Sequence, residues 1–320
     1  SCLVNPRAAA ETELNYLPAT TPKRIAVVGA GPAGLACATV AAQRGHAVTL
    51  FDAAARIGGQ FNLARRIPGK EEFDETLRYF DQRITETGVE LRLDTRVEAA
   101  QLAGFDAIVL ATGIVPRAAD FPGAGHPSVV GYLDLLGGRV QAGRRVAVIG
   151  AGGIGFDVAE FLVQDGPSPS LDPARWRAEW GVDFDGNRRG GLVRPQPEAP
   201  AREVWLLQRS PGRPGKRLGK TTGWIHRATL KAKGVHMLGG VRYLGMDDQG
   251  LLIEVDGAQR RLPVDTVVVC AGQEPRRELH DALRALGSTV PVHLIGGADM
   301  AAELDAKRAI DQGSRLAAAL

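Results

Sequence analysis

The hydrophobic positions of the chain fall into short apolar runs that end at glycine-rich turns. Near the start, an apolar run over residues 25–28 leads into such a turn, a small-residue helical stretch continues to Arg44, and a second apolar run covers residues 47–51. Short apolar runs bounded by turn residues are typical of buried parallel strands, and the stretch between them has the length of a crossover helix. The pattern therefore predicts a β-α-β unit.

The same arrangement recurs in the middle of the chain. An apolar run over residues 145–149 leads to a second glycine-rich turn and helical stretch, and the next clear strand, EVWLLQRS, follows only after a long gap. Residues 166–202, in this gap, are rich in Pro, Gly, Arg and Trp without sustained apolar periodicity, which predicts a surface insertion or a loop that contacts a partner. We predict an α/β fold with two Rossmann-like dinucleotide-binding domains and parallel sheets.

The first turn has the spacing expected for a dinucleotide site. Gly29, Gly31 and Gly34 permit, in order, a tight turn, the approach of a pyrophosphate to the backbone, and close packing of helix on strand. The helix that follows offers unpaired N–H groups to the phosphates. The second strand closes on Asp52, which can hydrogen-bond a pair of ribose hydroxyls. With strand, glycines, helix and acid in register, we predict an FAD site.

The second turn repeats the spacing with Gly150, Gly152 and Gly155, but its second strand ends in Gln208 and Arg209, where the first copy ends in an acid. An acid repels a 2′-phosphate, whereas a neutral residue followed by Arg suits one. We predict NADP(H) in preference to NAD(H). The alternatives are that the cations here form a solvated loop, and that Gly155 serves an NAD site. Further cations nearby are Arg213, Lys216 and Arg217.

Three later segments indicate how the domains are arranged. FDAIVLATGIVPR and VDTVVVCAGQEPR are matching strand-to-glycine turns, each at the end of one nucleotide unit. The segment VHLIGGADMAAELDAKRAIDQG predicts a strand, a Gly-Gly turn, Asp299 near the ribityl chain of a flavin, and a helix. We therefore expect a discontinuous FAD domain of about 1–135 plus 275–320, with an NADP(H) domain of about 136–274 inserted in it.

Composition and charge exclude several classes of protein. The length of 320 residues favours two domains over one. A net charge of +3, with mixed cations and acids, gives no focused basic face, so we expect no nucleic-acid partner. The longest apolar stretch, residues 27–42, is shorter than the roughly 20 residues of a membrane span. Cys2, Cys37 and Cys270 make no disulfide framework, which favours a cytoplasmic location, and the last two are expected to be buried as small hydrophobes.

Together these motifs resemble the bacterial 2,4-dienoyl-CoA reductases, which belong to the barrel-fused flavin/iron–sulfur oxidoreductases related to old yellow enzyme. The resemblance covers the chain except for the insertion and corresponds to the C-terminal half of such enzymes. The matching segments are CLVNPRA, GAGPAGL, DAAARIGGQFN, IPGKEEF, ATGIVPR, GAGGIGFD, GKTTGWIHR, CAGQEP and HLIGGADMAAELDAKRAI.

The resemblance implies partners and cofactors beyond this chain. It implies an N-terminal barrel with FMN and the enoyl-CoA site, and a [4Fe–4S] cluster whose last ligand corresponds to Cys2. The chain opens SCLVNPRAAA without a methionine, so we expect it to be the back part of a longer protein. One thiolate cannot hold a cluster that needs four. The implied electron path of this β-oxidation enzyme runs from NADPH to FAD, the cluster, FMN and the dienoyl-CoA.

The predicted site residues hold cofactors, and none is a catalytic acid or base, because the cofactors carry the chemistry. The cluster ligand in the full-length protein is Cys2. For FAD the predicted residues are Gly29, Gly31, Ala33, Gly34, Asp52, Gly59, Gln60, Val97, Thr112, Gly113, Asp299 and Met300. For NADP(H) they are Gly150, Gly152, Gly153, Ile154, Gly155, Gln208, Arg209 and Gly272.

The segment KTTGWIHR leaves two interpretations open. His226 borders the nicotinamide or flavin, or it is a helix-start histidine satisfied by neighbouring groups. Thr222 is the expected N-cap of that helix. Lys220 is either a phosphate or flavin contact or a surface cation.

Other functions remain open at this point. A stand-alone relative of thioredoxin reductase needs a redox pair such as C-x-x-C, and no two cysteines of this chain are close in sequence. The same module also serves barrel-fused enzymes with other substrates, such as amine dehydrogenases and 2-enoate reductases. A non-enzymatic nucleotide-binding protein is disfavoured because both fingerprints are intact.

Overall fold

The computed structural model describes residues 2–216, 218–302 and 305–320, so Arg217, one of the predicted cations, lies outside the described residues. The chain divides into two compact units. The first consists of Ser1–Arg65, Glu72–Val115 and Gln273–Leu320, and the second of Arg66–Glu71 and Pro116–Gly272.

The described strands and helices follow in chain order. The strands are β1 (Arg24–Val28), β2 (Ala47–Phe51), β3 (Glu90–Arg92), β4 (Ala107–Leu110), β5 (Ile114–Pro116), β6 (Val129–Gly131), β7 (Arg145–Ile149), β8 (Glu203–Leu207), β9 (His236–Leu238), β10 (Arg242–Asp247), β11 (Gly250–Val255), β12 (Ala258–Leu262), β13 (Thr266–Val269), β14 (Gln273–Pro275) and β15 (Val292–Leu294). The α-helices are α1 (Pro32–Gln43), α2 (Phe61–Ala64), α3 (Phe73–Thr87), α4 (Tyr132–Gly137), α5 (Gly153–Val163), α6 (Pro173–Trp180), α7 (Gly223–Ala232), α8 (Glu278–Ala285) and α9 (Ala306–Ala319).

The first unit is built on a five-stranded sheet in the order β15-β4-β1-β2-β3, and all its pairings are parallel. In β1 and β2 every residue after the first is buried. Strands of this kind have helices on both faces, which explains why their sequences are continuous apolar runs and do not alternate. The predicted β-α-β unit is present as β1-α1-β2.

Helices α1 and α9 of the first unit pack at unusually short distance. A Cβ added at Gly313 of α9 would lie 2.2 Å from the carbonyl oxygen of Ala33 in α1. Ala309 and Ala317, about one turn to either side, are buried in the same cluster as Cys37. Small residues on both helices allow this approach, and it brings the segment before α9 towards the glycine turn before α1.

The second unit repeats the architecture with a five-stranded parallel sheet in the order β6-β13-β7-β8-β9. An antiparallel sheet in the order β10-β11-β12 packs its apolar side into the same core. Residues 116–135, which the sequence placed in the first domain, lie in the second unit, because Val129–Gly131 is an edge strand paired with Thr266–Val269.

The predicted insertion contains a short helix that the sequence did not indicate. Asp172 caps α6 by accepting hydrogen bonds from the backbone N–H groups of Ala174 and Arg175. No residue of α6 is fully buried, so no apolar period marks it in the sequence. One buried contact fixes it: Lys233 Nζ lies 2.6 Å from Glu179 Oε1, with the two side chains 4% and 12% exposed.

Within the described part of the chain, no helix combines the length and the apolar character that a bilayer crossing requires.

We predict that Gly313→Ala destabilises the protein through the contact between α1 and α9. The added methyl has no space beside Ala33 and must separate the helices, and such overpacking costs about 1–3 kcal/mol. Urea unfolding measures the loss. Gly104→Ala is the control, because a Cβ there meets nothing within 4 Å and its φ is not in the left-handed region. Equal stability of the two variants would contradict the prediction.

Candidate dinucleotide-binding sites

The first glycine turn is tightly packed at two of its three glycines. Gly29 has φ +110°, and a Cβ there would lie 2.3 Å from the carbonyl oxygen of Ala111, at the end of β4. A Cβ at Gly34 would lie 1.8 Å from the carbonyl oxygen of Gly29. Gly31, in contrast, has open space where its side chain would be. The turn therefore presents bare backbone to the outside at its middle glycine, as close approach of a pyrophosphate requires.

The second turn has the same geometry in the second unit. Gly150 has φ +111°, with a virtual Cβ 2.6 Å from the carbonyl oxygen of Cys270, and a Cβ at Gly155 would lie 1.7 Å from the carbonyl oxygen of Gly150. Gly152 and Gly153 are open. Two separate stretches of sequence with the same glycine spacing thus adopt one local structure, because the first and third glycines are required by the same steric contacts.

Asp52, at the end of β2, is held by the turn beside it. Its Oδ2 accepts a hydrogen bond from the Ala30 N–H at 2.6 Å, and its Oδ1 accepts one from the Ala54 N–H at 2.8 Å. A carboxylate has about four lone-pair positions, so each oxygen keeps one for a further donor. The geometry suits a vicinal pair of hydroxyl groups such as those of a ribose.

A small cavity of about 150 Å³ opens beside Asp52 in the first unit. Four of its lining residues were predicted from the sequence, and seven were missed. The missed residues lie at the end of β1, in loops after strands or at the start of α8, where nothing in the local sequence marks a ligand. The predicted residues are Gly29, Asp52, Val97 and Thr112, and the missed ones Val28, Ala53, Thr95, Arg96, Arg276, Glu278 and Leu279.

Further glycines bring two other segments to the first turn. A Cβ at Gly59 would lie 3.0 Å from the Cα of Gly31, and one at Gly296 would lie 2.9 Å from the Cβ of Ala33. A Cβ at Gly297 would lie 3.0 Å from the carbonyl carbon of Gly113, so the residues after β4 also contact the C-terminal segment. The segment around Gly59 and the C-terminal segment therefore meet at the glycine fingerprint. Gln60 is exposed at the start of α2.

Asp299 is positioned by a glutamine that the sequence analysis did not single out. Gln312 of α9 donates from Nε2 to Asp299 Oδ2 at 2.7 Å and accepts at Oε1 from the Gly296 N–H at 2.8 Å. The Arg277 side chain donates to the carbonyl oxygens of Ala298 and Asp299. These contacts fix the loop that carries the carboxylate, whereas Met300 next to it is 49% exposed.

The Gln208 side chain is engaged by the loop that follows its strand. Its Nε2 donates to the carbonyl oxygens of Ser210 at 3.0 Å and Gly212 at 3.3 Å, so the side chain fixes the loop that follows β8. Arg209 is exposed, and Gly272 has φ +106° with the Arg117 side chain 3.3 Å from its virtual Cβ. Gln208, the neutral residue at the end of β8, therefore fixes the conformation of the following loop, which carries the cations.

Two carboxylates of α5 are paired with cations from other segments of the second unit. Lys70 Nζ lies 2.6 Å from Asp157 Oδ1, and His226 Nδ1 lies 2.8 Å from Glu160 Oε1. The hydrogen bond to the Glu160 carboxylate raises the pKa of the His226 imidazole, against the effect of burial. Two interpretations of His226 were open, a contact with the nicotinamide or flavin and a histidine satisfied by neighbouring groups. The contact with Glu160 supports the second.

The KTTGWIHR segment contains two other residues with predicted roles, Thr222 and Lys220. Thr222 occupies the N-cap position of α7, as predicted, although its side chain makes no capping hydrogen bond. Its backbone has a helical conformation, in which the hydroxyl is not directed at the first N–H groups. Lys220 is exposed.

The three cysteines are separate free thiols in different environments. Burial raises the pKa of Cys37 to about 12 and also raises that of Cys270, which is half-buried as a residue. Backbone hydrogen bonds from Asn5 and Val4 lower the pKa of Cys2. Among the described residues, no group of three or more His, Cys, Asp or Glu side chains is arranged to hold a metal ion.

Comparison with known proteins identifies a family and several relatives of this chain. The family model described as "Pyridine nucleotide-disulphide oxidoreductase" matches residues 23–291. A metal reductase of Desulforamulus reducens is 32% identical over 93% of this chain, and an N,N-dimethylglycine/sarcosine dehydrogenase of Chromohalobacter salexigens is 31% identical over 83%. The solved 2-naphthoyl-CoA reductase, in complex with 2-naphthoyl-CoA, superposes with a TM-score of 0.82 and 27% identity over 100% of this chain.

These proteins are all much longer than the chain. It spans 44% and 36% of the two curated relatives and 43% of the solved reductase. The comparisons thus describe a module that recurs within larger reductases and dehydrogenases. The predicted fold class, with parallel-sheet Rossmann-like domains in a disulfide-reductase-like arrangement, is confirmed.

We predict that His226→Gln lowers stability in a pH-dependent way. A raised pKa in the folded state means that the imidazolium stabilises the fold fully below the ordinary histidine pKa of about 6.5, and that this is lost as the pH rises through the folded pKa. At pH 5.5 the variant should lose about 1.5 kcal/mol, typical of a hydrogen bond to a charged group. At pH 9 the loss should be smaller.

Urea unfolding at both values of pH measures this difference. His126→Gln is the control, because His126 lies 3.1 Å from Asp248, whose side chain is 99% exposed, and such pairs contribute little. A loss for His226→Gln that is the same at pH 5.5 and 9 would contradict the prediction.

Proposed function

Because the chain belongs to the pyridine nucleotide-disulphide oxidoreductase family, we propose that it is the flavin reductase module of an NADPH-dependent 2,4-dienoyl-CoA reductase. Family membership implies the binding of FAD and of NAD(P)H. The observation that carries the proposal is the pair of glycine turns with identical packing, one in each unit, followed by an acid in the first unit and by cations in the second.

The residues of the first unit fit FAD. Gly31 leaves bare backbone for a pyrophosphate at the N-terminus of α1, and Asp52 keeps a lone pair on each oxygen for ribose hydroxyls. Asp299, held by Gln312, would accept a hydrogen bond from a ribityl hydroxyl. When bound, FAD supplies the exchange between a two-electron hydride and single electrons. The chain contributes binding and orientation.

The residues of the second unit fit a pyridine nucleotide with a 2′-phosphate. Gly152 and Gly153 leave space for the pyrophosphate at the N-terminus of α5. Arg209, Arg213 and Lys216 are exposed on the loop after β8, and no acid stands at the strand end to repel a phosphate. This distribution of charge favours NADP(H) over NAD(H).

Reduction of a dienoyl-CoA is proposed for the larger protein of which this module would be a part. The proposal rests on the resemblance of the motifs and on the likeness, over the whole chain, to the solved 2-naphthoyl-CoA reductase, whose ligand is also a CoA thioester. In it the acyl-CoA, FMN and the [4Fe–4S] cluster, with Cys2 as one ligand, would belong to a barrel half and its junction with this chain. We expect no membrane or nucleic-acid partner.

A second candidate is the same module of an amine dehydrogenase. It is favoured by the 31% identity to the N,N-dimethylglycine/sarcosine dehydrogenase. Disulfide reduction is not proposed, because Cys2, Cys37 and Cys270 provide no pair beside a flavin.

We predict that the protein reduced with NADPH passes electrons to ferricyanide but not to a dienoyl-CoA. Purified chain should carry FAD, released by denaturation and identified by chromatography. Exposed reduced flavin would transfer electrons directly to ferricyanide. The acyl-CoA site, in contrast, is assigned to the barrel half of the larger protein. Dienoyl-CoA consumption by these 320 residues alone would contradict the domain assignment. Protein that cannot be reconstituted with FAD would contradict the whole proposal.

We also predict that Arg209→Ala weakens the use of NADPH but not of NADH. A charge-assisted hydrogen bond to a phosphate is worth on the order of 1.5–3 kcal/mol, which corresponds to a roughly ten- to hundredfold higher apparent KM for NADPH. Anaerobic stopped-flow reduction with both nucleotides measures it. Arg260→Ala is the control, because Arg260 is an exposed arginine of β12 in the same unit. Equal affinity of the unmutated protein for the two nucleotides would contradict the NADP(H) preference.

A further inference from the structure

The loop between β8 and α7 is held in shape at several backbone carbonyl groups. The Gln208 amide donates to the carbonyl oxygens of Ser210 and Gly212, and the Gly240 N–H also donates to that of Ser210, at 2.9 Å. A Cβ at Gly239 would lie 2.0 Å from the Gly212 oxygen, so the loop rests directly on the turn after β9. We call residues 209–216 the basic loop.

A second anchor comes from the first turn of α7. Arg227 Nη1 donates to the Gly215 carbonyl oxygen at 2.9 Å. Gly215 itself has φ +77°, and a Cβ there would lie 2.6 Å from the ring of Phe156, in the first turn of α5. The far end of the basic loop is therefore fixed between α7 and the helix that follows the second glycine turn.

The cations of the basic loop alternate with these anchored carbonyl groups. Arg209 lies between Gln208 and Ser210, Arg213 follows Gly212, and Lys216 follows Gly215. In the part of the chain that the structure describes, none of these three cationic side chains forms a hydrogen bond or an ion pair, and all three are exposed. The backbone is thus held while the charges stay available, which lowers the entropic cost of binding an anion.

His226, the neighbour of Arg227, attaches α7 to α5. Its Nδ1 contacts Glu160 Oε1 at 2.8 Å, and the Glu160 side chain is only 8% exposed. The other charged groups that act on His226 are Asp157 of the same helix α5 and Lys70, which is paired with Asp157. One helix, α5, therefore both presents its N-terminus to a pyrophosphate and sets the position of α7.

The Arg227 side chain has little reason to be present for packing alone. Its Nε is buried and has no hydrogen-bond partner among the described residues. A buried N–H without a partner is unfavourable, and an apolar side chain would avoid this cost. What the guanidinium adds is the hydrogen bond to the Gly215 carbonyl, and through it control of the basic loop.

We propose that His226 and Arg227 are positioning residues that fix the basic loop relative to the second glycine turn, and thereby set the preference for a 2′-phosphorylated nucleotide. The inference rests on the proposed function. His226 holds α7 to α5, Arg227 holds the loop to α7, and the distance between the pyrophosphate position and the cations follows from both. Neither residue needs to touch the nucleotide.

The test compares two probes that differ by one phosphate, 2′,5′-ADP and 5′-AMP, by calorimetric binding to the FAD-loaded protein. Arg227→Met and Glu160→Gln should each weaken 2′,5′-ADP about tenfold and 5′-AMP less than twofold. Arg227→Lys, which keeps one donor, should restore part of the discrimination. His126→Gln is the matched control and should change neither affinity. The spectrum of bound flavin and the circular dichroism report whether each variant is folded.

The difference between the unmutated protein and His226→Gln should depend on pH. It should be largest near pH 6, where the imidazolium pairs with Glu160, and shrink towards pH 9, where a neutral imidazole keeps only a hydrogen bond. A merely structural role would affect both probes alike at every pH.

The outcomes distinguish a failure of the proposed NADP(H) preference from a failure of the positioning role of His226 and Arg227. Equal affinity of the unmutated protein for both probes would contradict the NADP(H) preference and the inference with it. Discrimination by the unmutated protein that persists in folded Arg227→Met and Glu160→Gln would overturn the inference alone. If Arg227→Met does not fold, Glu160→Gln and His226→Gln decide.

Discussion

The whole structure depends on one steric constraint, the contact between the first and third glycines of each turn. A Cβ at Gly34 would lie 1.8 Å from the Gly29 carbonyl oxygen, and one at Gly155 would lie 1.7 Å from that of Gly150. No side chain fits at such a distance, so helix and strand meet only because these residues are glycines. The contact sets where each helix begins, and hence where its free N–H groups point.

The two units apply this constraint with different chemistry at the end of the second strand. In the first, Asp52 accepts hydrogen bonds from the turn and from its own loop and retains acceptor capacity. In the second, Gln208 donates to the loop that follows it. An acceptor thus suits hydroxyl groups, whereas a donor directed into the backbone orders a loop of cations. The same fold therefore carries an acid at the end of the second strand in the first unit and a loop of cations at that place in the second.

The electrostatics of α5 connect the second site to the rest of its unit. Asp157 and Glu160 lie one helical turn apart, and each pairs with a cation from a different segment. Their partners, Lys70 and His226, bring the segment of residues 66–71 and α7 against the same helix.

The sequence by itself determined the elements whose signals are local. The two glycine turns, the buried strands around them and the acid at Asp52 follow from spacing and hydrophobic pattern, because steric and burial constraints act within a few residues. The sequence also predicted that the C-terminal segment belongs to the first unit, because the strand, Gly-Gly turn and helix there have a recognisable pattern. The lack of a capping hydrogen bond from the Thr222 side chain and the contacts of Gln208 were not predictable, because each depends on backbone angles set by neighbouring elements.

Only the tertiary structure decided which distant residues meet. Gln312 reaches Asp299 and Arg227 reaches Gly215 from a helix back to the loop that precedes it, and His226 reaches Glu160 on a helix 66 residues earlier in the chain. The helix α6 carries no apolar period because none of its residues is fully buried. Residues 116–135 belong to the second unit because a three-residue edge strand within them pairs with its sheet. Contacts of this kind leave no local pattern, since the physical partner of each residue is supplied by the fold and not by its neighbours in the chain.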